Sequence, residues 1–246
     1  MGTTSTAYDL SPGDMSSGEN PEKDWFGVRR VNPTDKTNLV LDVFHSVARK
    51  YDIMNDLMSG GVHRAWKNRL IRMIRPRKDW AYLDVAGGTG DIAFRLHEAT
   101  DGQAPITVYD INASMLKVGE ARAIDRGILH HMDWVEGNAE KLPFPDNSFD
   151  VYTIAFGLRN VTHIDRALKE AARVLKPGGR FFCLEFSHVD NPAIAKAYDF
   201  YSEKVIPKIG KKVANDADSY QYLIESIRKF PRRNVLAKRL IAAGFR

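Results

Sequence analysis

Apolar residues at Val40, Val43, Phe44, Val47, Ala48 and Tyr51 recur at i, i+3, i+4, i+7, i+8 and i+11, the stripe of an amphipathic helix. A second helical stretch runs from His63 to Ile74 and stops before Pro76. Then the period changes. Short apolar runs at Tyr82–Ala86, Ile106–Tyr109, Asp133–Glu136, Val151–Phe156 and Arg180–Phe186 read as strands. Helical stretches at Asp91–Ala99, Ala113–Arg126 and Ile164–Leu175 fall between most of them, with Gly87-Gly88 and Gly178-Gly179 as punctuation. Such alternation specifies an α/β fold, a mostly parallel sheet with helices on both faces. After the fifth strand an aromatic-rich segment, 187–231, mixes Tyr198, Phe200, Tyr201, Tyr220 and Tyr222 with Lys204, Lys208, Lys211 and Lys212. A last helix, Asn234–Ala243, ends at Gly244, so the sheet is expected to be incomplete at the C-terminus.

The organisation that follows is a disordered or extended tail over 1–34 and one domain over 35–246. Within that domain lie N-terminal helices (35–76), a strand–helix core (80–186), a cap insertion (187–231) and the final helix (232–246). The first 24 residues are rich in Ser, Thr, Gly and acids and have neither the basic start of a signal peptide nor the Arg-rich look of a transit peptide.

Composition narrows the classes. With 246 residues, 43% hydrophobic and 27% charged, the chain can bury a core and is neither fibrous nor wholly disordered. No apolar run reaches the roughly 18 residues of a membrane span. Cys183 is the one cysteine, which excludes an internal disulfide and a cysteine-based zinc site and favours a reducing, cytoplasmic compartment. The net charge of +5 is local: beyond Glu225 the chain has Arg228, Lys229, Arg232, Arg233, Lys238, Arg239 and Arg246 and no acid. That segment suits a solvated helix face first and the anionic inner face of a membrane second; no nucleic-acid partner is expected.

The chemistry gathers where strands end. Asp84 closes the first strand beside Gly87, Gly88, Thr89 and Gly90, a turn that lets a ligand approach the next helix N-terminus. Gly88-x-Gly90-x-x-Ala93 by itself also fits a dinucleotide loop. A carboxylate at the mouth of that turn repels a pyrophosphate and attracts a sulfonium nucleoside, which favours S-adenosylmethionine over NAD. Asp110, about 20 residues beyond the glycines, suits both hydroxyls of a ribose in either ligand. Met115 is placed either to wall an adenine or to fill core, and Gly137–Glu140 forms a loop able to edge the ring. The fourth strand leads through Ala155 to Arg159 and Asn160, at the end of the sheet where an acceptor meets a donor. Arginine holds its proton at neutral pH, so Arg159 is expected to stabilise a phenolate or orient water while Asn160 holds a hydroxyl. The seven histidines show no zinc spacing, so no metal is expected, and Cys183 reads as inert core.

Taken together, Phe44–Ala48, Tyr51–Asp56, Ala86–Asp91, Asn138–Glu140, Leu142–Asp146, Phe156–Asn160, Val174–Gly179, Leu184–Ser187 and Val213–Tyr220 resemble the UbiE-type C-methyltransferases of ubiquinone and menaquinone biosynthesis. The resemblance implies a Rossmann-like class I methyltransferase fold, S-adenosyl-L-methionine as cofactor and a prenylated benzoquinol or naphthoquinol as substrate. It carries donor contacts to Thr89, Asp110, Asn138 and Ala139; beside these, Ile111 is expected at the donor, and Tyr51 with the 187–231 insertion is expected to roof an acceptor that meets Arg159 and Asn160. Ala155 departs from the serine of many relatives, which removes a hydroxyl contact. Family members continue past the Ala-Gly-Phe of this C-terminus into two further strands. Two other readings stand beside the enzyme: a methyltransferase-fold scaffold of a quinone-biosynthesis complex, and an NAD-dependent dehydrogenase.

Overall fold

The structure, a computed structural model, describes residues 24–26, 29–31, 56, 59–187 and 217–246. Two short strands, β1 (Asp24–Phe26) and β2 (Arg29–Val31), pair antiparallel inside the segment read from sequence as a tail. Three residues are too few to show alternation, so the hairpin carried no sequence signal. Helix α1 (His63–Ile74) precedes β3 (Tyr82–Val85), α2 (Asp91–Ala99), β4 (Ile106–Asp110), α3 (Ala113–Asp125) and β5 (Met132–Glu136). Then come β6 (Phe149–Ala155), a 3-10 turn (Leu158–Asn160), α4 (Ile164–Val174), β7 (Leu175–Leu184), α5 (Ala217–Lys229) and α6 (Arg233–Ala242). The helix expected from Val40, Tyr51 itself and residues 188–216 of the cap insertion lie outside the described residues.

The five strands order as β5-β4-β3-β6-β7, and each neighbouring pair is parallel. The chain builds outward from β3 through β4 to β5, then crosses back to lay β6 on the other side of β3. Strand order therefore reverses between β3 and β6, and the crevice beyond their carboxyl ends is where an open α/β sheet binds ligands. One boundary moved for a physical reason: β7 starts at Leu175 because that residue already pairs with Phe149, before an excursion through Lys176–Gly179 and resumed pairing of Arg180 with Val151.

Side-chain alternation divides the interior. Leu83, Val85, Tyr152 and Ile154 pack with Leu168, Ala171 and Val174 of α4, and Leu236 and Leu240 of α6 join them. Phe245 adds a ring contact to Phe181 at 5.0 Å, and Cys183 lies against the same cluster, its thiol pushed up by burial. Tyr82, Ile106, Val108 and Val151 point the other way, onto Leu70 and Ile74 of α1, Ile92, Ala93 and Leu96 of α2, and Leu116 of α3. Asp84, Asp110, Thr153 and Ala155 have the parity of this second face. The buried stripe of α1 is His63, Lys67, Leu70 and Ile74: apolar over the sheet, polar where the helix passes the strand ends.

Candidate functional site

At the switch point two adjacent strand ends turn through unusual backbone. Ala86 after β3 has φ 52° and Phe156 after β6 has φ 57°, left-handed conformations that a bulky residue such as phenylalanine holds only when its surroundings enforce it. The loops lie so close that a Cβ on Gly157 would strike that of Ala86. Two openings flank this pinch, and Phe156 borders both.

The larger, about 760 Å³, lies over the ends of β3, β4 and β5. Asp110 lines it, with Oδ2 accepting the Gly88 N–H at 2.8 Å and Oδ1 accepting the Asn112 N–H at 2.8 Å. Burial raises its pKa to about 6, offset in part by those backbone donors. A carboxylate has about four acceptor sites, so Asp110 keeps capacity for a ligand hydroxyl beside its backbone donors. Ile111, Met115, Asn138, Ala139 and Asn160 line the same opening, so the residues expected from the ends of β4, β5 and β6 do come together. Met115 serves both expectations, being 4% exposed and also on the wall. The Asn138 loop is anchored below: Glu140 accepts the His163 N–H at 2.9 Å, and Glu170 Oε2, itself bridged to Arg173, accepts that of Leu142 at 2.8 Å. Gly137 has no room for a side chain, since a Cβ there would run into the Tyr109 ring.

Two contacts bearing on this opening were not foreseen, one on its wall and one behind Asn160. Asn112 caps α3, its Oδ1 accepting from Ser114 and Met115, while its buried Nδ2 has no hydrogen-bond partner among the described residues. Tyr222 of α5 donates to Asn160 Oδ1 at 3.0 Å, which leaves the amide N–H groups of Asn160 as donors. An Asx cap preceding Met115 was readable in the sequence; the Tyr222 contact, 62 residues away, had no local signal.

The smaller opening, about 350 Å³, is lined by Lys67, Asp84, Gly87, Thr89, Asp91, Ile92, Ala155 and Phe156. Here the charge argument needs correction. Asp84 is 1% exposed and forms part of the wall beneath the glycine turn. Its Oδ1 accepts the Thr153 hydroxyl at 2.7 Å, its Oδ2 has no partner among the described residues, and burial raises its pKa to about 7. Burial works against its charged form, and the carboxyl lies in the wall beneath the turn and not at its mouth, where the sequence reading placed a charge. Beside it Lys67 and Asp91 pair at 2.6 Å, with Arg95 on the other Asp91 oxygen at 3.0 Å.

Three other expectations are revised. Gly90 (φ +82) lies against Trp134, and Gly88 is filled over by the Met115 methyl; neither lines an opening. Both serve the turn's backbone. Arg159 has no exposed side-chain surface: its Nη1 binds Glu185 Oε1 at 2.8 Å and the Phe156 carbonyl, while the Arg159 N–H donates to Glu185 Oε2 at 3.3 Å. It clamps the turn that presents Asn160 and lines neither opening. Ala155 contributes its methyl group to the smaller opening. Among the described residues, no cluster of His, Cys, Asp and Glu side chains could hold a metal ion, and no helix is long and apolar enough to cross a membrane.

Comparison with known proteins agrees with this geometry. By fold, the chain is similar to a SAM-dependent methyltransferase of Thermotoga maritima, described as a possible histamine N-methyltransferase (TM-score 0.55, 21% identity, 82% of this chain and 81% of that one). A putative methyltransferase of Bacillus halodurans gives 0.53 at 23% identity, over 72% of this chain and 68% of its own. The sheet order and these likenesses make this a Rossmann-like class I methyltransferase fold. By sequence, it is 59% identical over 222 residues to the ubiquinone/menaquinone biosynthesis C-methyltransferase UbiE of Brucella abortus, covering 89% of this chain and 82% of that protein. The UbiE of Brucella anthropi is 58% identical over 89% of this chain and 84% of its own. Residues 32–246 match the ubiE/COQ5 methyltransferase family, and the chain belongs to that family.

Proposed function

We propose that this chain, an S-adenosylmethionine-dependent C-methyltransferase of ubiquinone and menaquinone biosynthesis, works in the crevice between β3 and β6, with the nucleoside of the donor in the larger opening and its amino-acid end in the smaller. The observation that carries this reading is Asp110. Its two oxygens are fixed by the Gly88 and Asn112 N–H groups, and it lines an opening otherwise walled largely by apolar surface, an arrangement suited to a ribose diol. The fit extends to both openings. Each holds one buried polar atom without a partner among the described residues, Asn112 Nδ2 in the larger and Asp84 Oδ2 in the smaller. Buried polar groups are nearly always satisfied, and a donor seated across the two openings would supply partners for these two atoms.

Bound across the two openings, S-adenosylmethionine would supply an electrophilic methyl group to a quinol ring carbon, with the electron pair of the S–C bond left on sulfur and the ring proton passing to solvent. A ring carbon is nucleophilic only when the adjacent oxygen carries developing negative charge. The amide N–H groups of Asn160, its Oδ1 occupied by Tyr222, stabilise that oxygen. Arg159 is a positioning residue, holding the 3-10 turn through Glu185. The exposed side of α6, with Lys238, Val235 and Ile241 (69% exposed), rests on an anionic membrane surface, where the substrate's tail resides.

The test is transfer of tritiated methyl from the donor to a short-chain demethylated quinol. Label in the ring is expected. No label, together with hydride exchange from a nicotinamide nucleotide, would overturn the reading. Co-sedimentation with vesicles containing anionic lipid, lost on Lys238→Glu, tests the membrane contact.

A further inference from the structure

The polar start of the α1 stripe is unexplained by folding alone. Lys67 is 4% exposed, and burying an ammonium group is unfavourable unless its charge is used. Its partner Asp91 is already bound by Arg95 on the other oxygen, so Asp91 does not need a second cation. An ammonium has three donors. One goes to Asp91, and the group lies 5.7 Å from the centre of the Phe156 ring, the wall common to both openings. The same Lys67 lines the smaller opening, where Asp84 Oδ2 is the buried acceptor without a partner among the described residues. The opening therefore offers a cation and an unfilled acceptor within one small volume, the complement of a zwitterion.

We infer that Lys67, from a helix outside the strand–turn–helix unit, receives the α-carboxylate of the donor's amino-acid end while Asp84 faces its α-ammonium. This rests on the donor reading above and deepens it: the amino-acid end is recognised in trans by α1, so binding it ties α1 to the glycine turn. A nucleoside without the amino acid would make none of this link.

The test is calorimetric and independent of turnover. The full chain is titrated with S-adenosylhomocysteine, with its decarboxylated counterpart and with 5′-methylthioadenosine. In the wild type, loss of the carboxylate weakens binding about tenfold or more, the worth of one charge-assisted hydrogen bond. In Lys67→Met and in Lys67→Gln that ratio collapses to within about twofold of unity, while 5′-methylthioadenosine binds as in the wild type and reports an intact larger opening. Lys67→Arg, which keeps a cation in place, retains a ratio of about threefold or more. A wild-type ratio preserved in Lys67→Met and Lys67→Gln would overturn the inference and reduce Lys67 to an anchor between α1 and α2. Failure of the wild type to bind any of the three nucleosides would overturn the donor reading and this inference with it.

Discussion

The two openings share Phe156 and differ in how they are made. The larger is assembled from strand ends, each supplying a few residues: Asp110–Asn112 at the end of β4, Gly137–Glu140 after β5, and Phe156, Gly157 and Asn160–Thr162 after β6. Its buried carboxylate, Asp110, is tied down by backbone donors. The smaller joins the glycine turn to a helix some 20 residues upstream and sets buried Asp84 and Lys67 beside the partly exposed Asp91. One is a shaped apolar slot with a polar clasp; the other is a pocket of charge held in balance. The lesson is that a parallel sheet gives the first almost automatically, through its topology, whereas the second needs side chains brought from elsewhere.

Breaking the base that both openings stand on has the largest expected effect. Arg159→Ala leaves Glu185 buried without its guanidinium, which costs about 3–5 kcal/mol for a buried pair broken from one side. Urea unfolding measures it; a loss below about 1 kcal/mol would mean that the 3-10 turn is not held this way. Next is the clasp. Asp110→Ala removes the acceptor for two ribose hydroxyls and lowers donor affinity on the order of a hundredfold in a calorimetric titration. An unchanged affinity would detach the larger opening from the nucleoside. Third, Gly90→Ala forces a Cβ onto the Trp134 ring at a left-handed backbone position and destabilises by about 1–3 kcal/mol. Its donor affinity per folded molecule changes little, because Gly90 lines neither opening.

The smallest effect is the most diagnostic of the charged pocket. Asp84 titrates near 7 in the folded protein against 3.8 in an unfolded chain. Between those values the folded state holds a proton that the unfolded state has released, so this group's contribution to stability falls as pH rises from about 4 to about 7 and is flat above. Asp84→Asn lacks that slope. Its melting temperature therefore exceeds the wild type's at pH 8 by a few degrees, the scale of about 1 kcal/mol, and the gap narrows towards pH 4, while donor affinity drops. A variant less stable than the wild type at pH 8 would show that the Asp84 carboxylate is stabilising after all.

Periodicity and spacing located most of this. The bounds of α1 and α2 agree with the sequence reading because apolar spacing, Pro76 and the glycine turn all mark the same positions. Asp110, Met115, Asn138, Ala139 and Asn160 were legible because a strand end followed by a turn is local in sequence. What escaped was long-range or hidden by residue type. Lys67 reads as a solvated position until burial of His63, Leu70 and Ile74 places it on the inward stripe. Arg159 reads as a site cation because its partner, Glu185, is 26 residues away on the chain after β7. Gly90 looks like a ligand glycine, yet the ring that excludes a side chain there is Trp134, on β5.

The most direct measurement is a crystal structure of the chain with S-adenosylhomocysteine. The expected result has the ribose hydroxyls on Asp110, the adenine between Met115 and the Asn138–Ala139 loop, and the amino-acid end past Phe156 beside Lys67 and Asp84. A nucleoside seated away from Asp110, or an amino-acid end pointing out of the smaller opening, would contradict it.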